Sequence, residues 1–318
     1  MMHEKARAFL RRHRAWVWMA APLLLVALTF WLIWAQPWRV FLPNNGYRYV
    51  VGVSQQAVGS SRQIALKRAL QAAAAGSDQL NLLFGSADDD AAVQARQIEA
   101  MMRQRVDAII VDTSFAAELH TTLDDVRAAG IPLVLIGDES MTGAPCDLLL
   151  IYDYAQMGRL AGAYFSRMPQ ETVRLLEVQG MPRSAEAKTL QAGLRQGLAR
   201  HGEVVCVIAG YHSRAAAGQR IKDSVPATSP FDIHAVFAHD TEMAFGALDS
   251  LDGLPVVCVQ YDDALAEQAD SPFDVVVLAH SGGAQAMQYV MDLLRGKDAV
   301  LQSLLLPAEL KILKGVAE

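Results

Sequence analysis

Three cysteines in 318 residues, Cys146, Cys206 and Cys258, exclude a disulfide-stapled scaffold and offer no zinc-ligand spacing. Cys206 and Cys258 stand inside apolar runs, where a thiol packs as a small core residue and a bridge between them is not expected. No cysteine lies near the N-terminal apolar segment, so a lipoprotein anchor is excluded. There is no nucleophile elbow, no phosphate-cradling glycine loop and no metal-ligand spacing, which argues against hydrolase, nucleotide-dependent and metalloenzyme chemistry. Basic excess is missing as well: 28 Lys and Arg against 34 Asp and Glu give a net charge of −6. That balance carries no nucleic-acid footprint.

Charge is also absent from residues 15–35, AWVWMAAPLLLVALTFWLIWA. A run of about 20 apolar residues can cross the hydrocarbon core as a helix. Lys5, Arg7, Arg11, Arg12 and Arg14 precede it and only Arg39 follows closely, so the charge asymmetry puts residues 1–14 in the cytoplasm and the rest outside. All five tryptophans, at positions 16, 18, 31, 34 and 38, fall toward the ends of the segment, as an interfacial belt would. A cleaved signal peptide is the competing reading, but its apolar stretch would be shorter and would end in a small-x-small site, which Ile33-Trp34-Ala35 does not supply. The expectation is a single-pass anchor at 15–35 in the cytoplasmic (inner) membrane. A short linker at 36–45, marked by Pro37, Pro43 and Asn44-Asn45, then leads to a periplasmic or extracellular domain.

Beyond the linker, short continuous apolar runs alternate with longer amphipathic ones. Strands are expected at 49–54, 80–84, 108–111, 132–136, 148–151, 173–178, 204–209, 234–237, 256–259 and 275–278. Helices are expected at 62–75, 89–105, 116–129, 155–167, 185–201, 215–223, 241–250 and 284–295. Apolar strands each followed by a helix specify a parallel sheet covered on both faces. So many units exceed one ordinary doubly wound sheet, and two sheets, hence two α/β lobes, follow. Ligands of such sheets bind beyond the carboxyl ends of the strands. That rule nominates Ser54, Gln55, Asp112, Thr113, Gly137, Asp138, Gln179, Gly180, Tyr211, His212, His239, Asp240, Gln260, Tyr261 and His280.

The order of six segments carries a resemblance: VDAIIVDTS at 106–114, AAGIPLVLIGDES at 128–140, IYDYAQMGRLAGAYF at 151–165, LLEVQG at 175–180, AVFAHDTEMAFGAL at 235–248 and GGAQAMQYVMDLLRGK at 282–297. From residue 47 to 313 the chain resembles the type I periplasmic sugar-binding proteins of the ribose/galactose class, relatives of bacterial repressor ligand domains. The resemblance implies two doubly wound lobes joined by a hinge that the chain crosses three times. One lobe would hold 46–152 and 278–306, the other 153–277 and 307–318, with a final strand near 307–313. It implies a non-enzymatic receptor, without cofactor or metal, that closes around a small polar solute, a sugar or polyol in the first place. The membrane partner would be an ABC permease or a sensor histidine kinase. A pocket no longer used for ligand, in a protein-interaction module regulating a sensor, is the alternative. A repressor would need a DNA-binding helix pair where the apolar segment stands.

The strand-end rule supplies Gln55 and Asp112, and matching the family's ligand positions one at a time adds Arg62, Asp138, Lys188, His212 (or Tyr211 with a one-residue shift), Asp240, Gln260 and His280 to complete the expected ligand-binding set. Several depart from the family's usual residues. The stretch Gly59-Ser60-Ser61-Arg62-Gln63 lacks the stacking aromatics, Gly137-Asp138 replaces an Asp-Arg pair, Asp240 replaces an Asn and Gln260 an Asp. A buried carboxylate needs a partner, so Asp138 or Asp240 is expected to pair with Arg62, Lys188 or the ligand.

Overall fold

The computed structural model describes residues 49–225, 232–261, 271–273, 275–297 and 302–313. The expected anchor at 15–35 and linker at 36–45 lie outside the described residues; among those described, no helix is long and apolar enough to cross a membrane.

Two six-stranded sheets organise the chain. The first contains β1 (Tyr49–Gln55), β2 (Leu80–Ser86), β3 (Ala108–Asp112), β4 (Leu133–Gly137), β5 (Leu148–Tyr152) and β11 (Gln302–Leu306), in the order β11-β5-β4-β3-β1-β2. The second contains β6 (Val173–Gln179), β7 (Gly202–Ala209), β8 (Ala235–Ala238), β9 (Val256–Gln260), β10 (Val275–Ala279) and β12 (Ala308–Ile312), in the order β12-β10-β9-β8-β6-β7. Every described pairing is parallel except β10 with β12, so the second sheet is mixed rather than wholly parallel. The expected two-sheet α/β architecture is present.

Helices pair off on the sheet faces. In the first lobe α1 (Ser61–Ala75) packs beside α8 (Gly283–Leu294), and α2 (Ala91–Arg103) beside α3 (Ala116–Ala128). In the second, α4 (Tyr154–Phe165) packs beside α5 (Ala185–Leu198), and α6 (Arg214–Ser224) beside α7 (Thr241–Leu248). The fully buried strands β3, β4, β5, β9 and β10 explain why their sequences run apolar without alternation: helices cover both faces. One apolar cluster joins Leu66, Leu70 and Val290 of the first lobe to Met157, Phe165, Leu190 and Leu194 of the second, while separate clusters fill the outer faces.

The α4–α5 contact is backbone against backbone. Gly158 and Gly162 face Gly193 and Gly197, and a Cβ on Gly158 would come to 2.2 Å from the Leu190 carbonyl, one on Gly193 to 2.2 Å from that of Ala155. Such an approach is open only to glycine. It matters because both helices start at the cleft, with Tyr154 and Glu186 in their first turns.

The chain passes between the sheets after β5, after β10 and at Pro307 between β11 and β12. Hydrogen bonds hold the crossings side by side. Tyr152 Oη donates to the Ser281 carbonyl at 2.8 Å, and the His280 amide donates to the Pro307 carbonyl at 3.3 Å.

Candidate functional site

A cavity of about 580 Å³ opens beyond the carboxyl ends of β1, β3, β4, β6 and β7, where the strand-end rule places a ligand. Its first-lobe wall includes Gln56, Arg62, Thr113, Ser114, Phe115 and Asp138; its second-lobe wall includes Tyr154, Met181, Ser184, Glu186, Tyr211 and His212. The volume is ordinary for a small-molecule site.

Arg62 comes from the first turn of α1. The helix is fixed by a capping box, in which Ser60 Oγ accepts from the Gln63 amide and the Gln63 side chain accepts from the Ser60 amide. The guanidinium donates to Asp112 Oδ1 at 2.6 Å and stacks over the Tyr152 ring at 5.1 Å. Asp112 is 1% exposed, and its other oxygen has no partner among the described residues. Burial by itself would lower the Arg62 pKa. The Asp112 charge and the nearby Tyr154 and Tyr152 outweigh it and hold it well above the ordinary arginine value. Tyr152, stacked on Tyr154 and edge-on to Tyr261, is pushed up chiefly by burial, so all these rings stay neutral hydrogen-bonding groups at physiological pH.

The opposite wall repeats the device with an imidazole. His212 Nδ1 lies 2.7 Å from Asp240 Oδ2, and Asp240 Oδ1 accepts from the Met243 amide as the N-cap of α7. Both Asp240 oxygens are therefore used inside the protein. The carboxylate fixes Nδ1 as the protonated nitrogen, and Tyr211 and His212 both take positive φ, 54° each, to bring the ring over. Gly180 makes room for it: a Cβ there would stand 2.2 Å from His212 Cε1. Burial works against a charged His212, but the Asp240 hydrogen bond and the Glu186 charge raise its pKa above the ordinary value.

Behind this wall lies a buried polar group that sequence reasoning missed. Glu177, within β6, accepts hydrogen bonds from Gln179 (3.2 Å) and Gln191 (2.8 Å) and lies 2.9 Å from His239 Nε2. Burial would raise its pKa, yet the His239 contact and the two amides hold it below the ordinary carboxylate value. Its only sequence signal is a carboxylate set among the apolar residues Leu175, Leu176 and Val178.

Of the nine expected ligand residues, Arg62, Asp138 and His212 line the cavity. Asp112 and Asp240 are the buried partners of two of them. Gln55 is buried, its side-chain amide donating to the Gln63 carbonyl at 3.0 Å, while its neighbour Gln56 lines the cavity. Gln260 is 1% exposed at the end of β9, Lys188 is exposed on α5, and His280 sits at the second crossing; none of the three lines the cavity. The expected pairing needs correction. Arg62 binds Asp112 rather than Asp138 or Asp240, because β1 and β3 are neighbours and the start of α1 falls over the β3 end. Asp138 instead caps the short 3-10 turn Glu139–Met141, accepting from the Ser140 amide at 2.9 Å and from its hydroxyl. The stacking rings missing from 59–63 have counterparts elsewhere, in Phe115, Tyr154 and Tyr211. No group of metal-ligating side chains occurs among the described residues.

Comparison with known proteins places this geometry. The family described as "Periplasmic binding protein domain" matches residues 51–298. The ribose import binding protein of Bacillus subtilis (strain 168) is 24% identical over 271 residues, covering 83% of this chain and 87% of that protein. Among solved structures, the arabinose ABC transporter binding protein of Shewanella sp. ANA-3, bound to L-arabinofuranose, superposes with a TM-score of 0.70 at 23% identity, covering 83% of this chain and 92% of the other. A Bacillus halodurans C-125 ABC transporter solute binding protein with bound myo-inositol gives 0.70 at 22% identity, covering 84% and 95%. With two sheets, the cleft between them and a family match across most of its length, the chain belongs to the type I periplasmic sugar-binding protein family.

Proposed function

We propose that this chain is an extracytoplasmic receptor, held at the inner membrane by residues 15–35, that closes its two lobes over a sugar or polyol and presents it to an ABC permease. The observation that carries the reading is the cavity itself, in which hydrogen-bonding side chains from both lobes converge on one space with aromatic faces beside them. A polyhydroxy solute needs that combination: donors and acceptors for its hydroxyls and a flat apolar platform for its C–H face. Contacts to both walls exist only when the lobes are together, so the ligand stabilises the closed arrangement over the open one. The import function of the ribose-binding relative supports delivery to a permease. The uncharged run at 15–35 favours a second partner, since a receptor fixed in the membrane suits an equally fixed sensor histidine kinase. Permease and ATPase genes beside this one support uptake; a histidine-kinase gene supports signalling.

Binding is proposed without turnover. A thermal-shift screen of the purified full chain against sugars, polyols, nucleosides and amines tests it. A true ligand at 100 times its dissociation constant adds about 2.7 kcal/mol to the folded state and is recovered with unchanged mass. A screen without a stabilising solute contradicts the receptor reading; a recovered product of changed mass contradicts the non-enzymatic one.

A further inference from the structure

The charges around the cavity are not balanced. Its two basic groups are already matched within the protein, the Arg62 guanidinium by Asp112 at 2.6 Å and the His212 imidazole by Asp240 at 2.7 Å. Three more carboxylates line the same space, Asp89, Asp138 and Glu186, and among the described residues none has a cation within ion-pair distance. Asp89 accepts from the Gln56 amide at 2.5 Å and Asp138 from Ser140, both neutral donors. Glu186 has neither. It sits in the first turn of α5 and lines the cavity together with Tyr154 and Tyr211, with no hydrogen-bond partner among the described residues. Its charge reaches Arg62, His212 and Tyr154, so it faces the interior of the site rather than bulk water alone.

A neutral sugar would leave those carboxylates uncompensated as the lobes closed and water left, which is costly. A ligand carrying an ammonium group would supply the missing charge, and aromatic faces beside a carboxylate are a favourable seat for one. We propose that the solute is a cationic polyhydroxy compound, an amino sugar or amino polyol, whose ammonium group is held by Glu186 with Asp138 on the facing wall. The proposal rests on the receptor reading above and narrows it.

Hydroxyl-matched pairs separate the two. Binding of glucosamine against glucose, galactosamine against galactose, and 1-amino-1-deoxysorbitol against sorbitol is measured by calorimetry on the full chain, with gluconate as the anionic control. At least one amine should bind about tenfold or more tightly than its neutral partner, with gluconate weakest. The preference should shrink as salt is raised from low ionic strength to about 0.5 M, where exposed charges are screened within a few ångströms. Glu186→Gln should bring the amine-to-neutral ratio toward one while leaving the melting temperature of the unliganded protein near wild type. Should Glu186→Gln fail to fold, Asp138→Asn provides the same readout from the other wall. Neutral members binding as tightly as the amines would overturn the charge assignment and leave the receptor reading standing. A ratio unmoved by both substitutions would overturn the assignment of the residues. No binding by any pair would overturn the receptor reading together with this one.

Discussion

The two walls of the cavity solve one problem with different chemistry. Each presents a basic side chain backed by a carboxylate that is 1% exposed and comes from a strand end, Arg62 on Asp112 in the first lobe and His212 on Asp240 in the second. The first cation is permanent, braced by a salt bridge and the Tyr152 ring at the hinge crossing. The second is a titratable ring held in a backbone turn with two positive φ angles, against a glycine that leaves it room. The first wall is thus expected to be indifferent to pH and dependent on its ion pair for stability. The second is expected to cost less when its pair is broken and to respond to pH.

The largest effect expected on this comparison is at Asp112. Asp112→Asn keeps the shape and removes the charge, leaving the Arg62 guanidinium without a counter-ion in a site where its side chain is only 14% exposed. Loss of one partner of a buried pair is expected to destabilise the protein by about 3 kcal/mol, read as a lowered denaturation midpoint with unchanged slope. A loss below half that would show the first wall to be as loosely braced as the second.

A smaller, pH-dependent effect is expected at Asp240. Asp240→Asn can still cap α7 but no longer favours a protonated His212, costing roughly 1.5 kcal/mol at pH 6. The His212 pKa is raised above its ordinary 6.5 by folding. Its contribution is therefore fully present below 6.5 and lost as pH rises through the folded value. Melting temperatures of wild type and variant, followed from pH 5.5 to 9, should converge toward the alkaline end. A constant gap across that range would mean that the imidazole charge plays no part.

Much of the fold was legible because strands buried on both faces are continuous apolar runs and helices carry caps. Asp90, Ser184 and Asp240 each open a helix by accepting from a main-chain amide three residues on. Two elements escaped. The strand Gln302–Leu306 reads QSLLL, without a β-branched residue, and the turn Glu139–Met141 is too short to have a period. The helix expected over 185–201 stops at Leu198, where Ala199 turns to φ +50°.

The site was less legible, for a geometric reason. Strand ends bring carboxylates to the right level, but the groups that reach the cavity stand on the loops and first helical turns beyond them. Hence Gln56 lines it where Gln55 was expected, and Glu186 where Lys188 was. One helical turn holds both Glu186 and Lys188, yet only the former faces inward. Arg62 and Asp112 meet across 50 residues, a pairing that the neighbouring positions of β1 and β3 decide and spacing along the chain does not.

The central claim, that one solute is gripped by both walls at once, is tested most directly by calorimetric titration of the stabilising sugar, polyol or amino derivative into wild type, Arg62→Ala and His212→Ala. Removing either cation should weaken binding by roughly tenfold or more, since each forfeits a charge-assisted hydrogen bond to the ligand. Affinity unchanged in both variants would contradict the account, because the solute would then be bound somewhere other than between these walls.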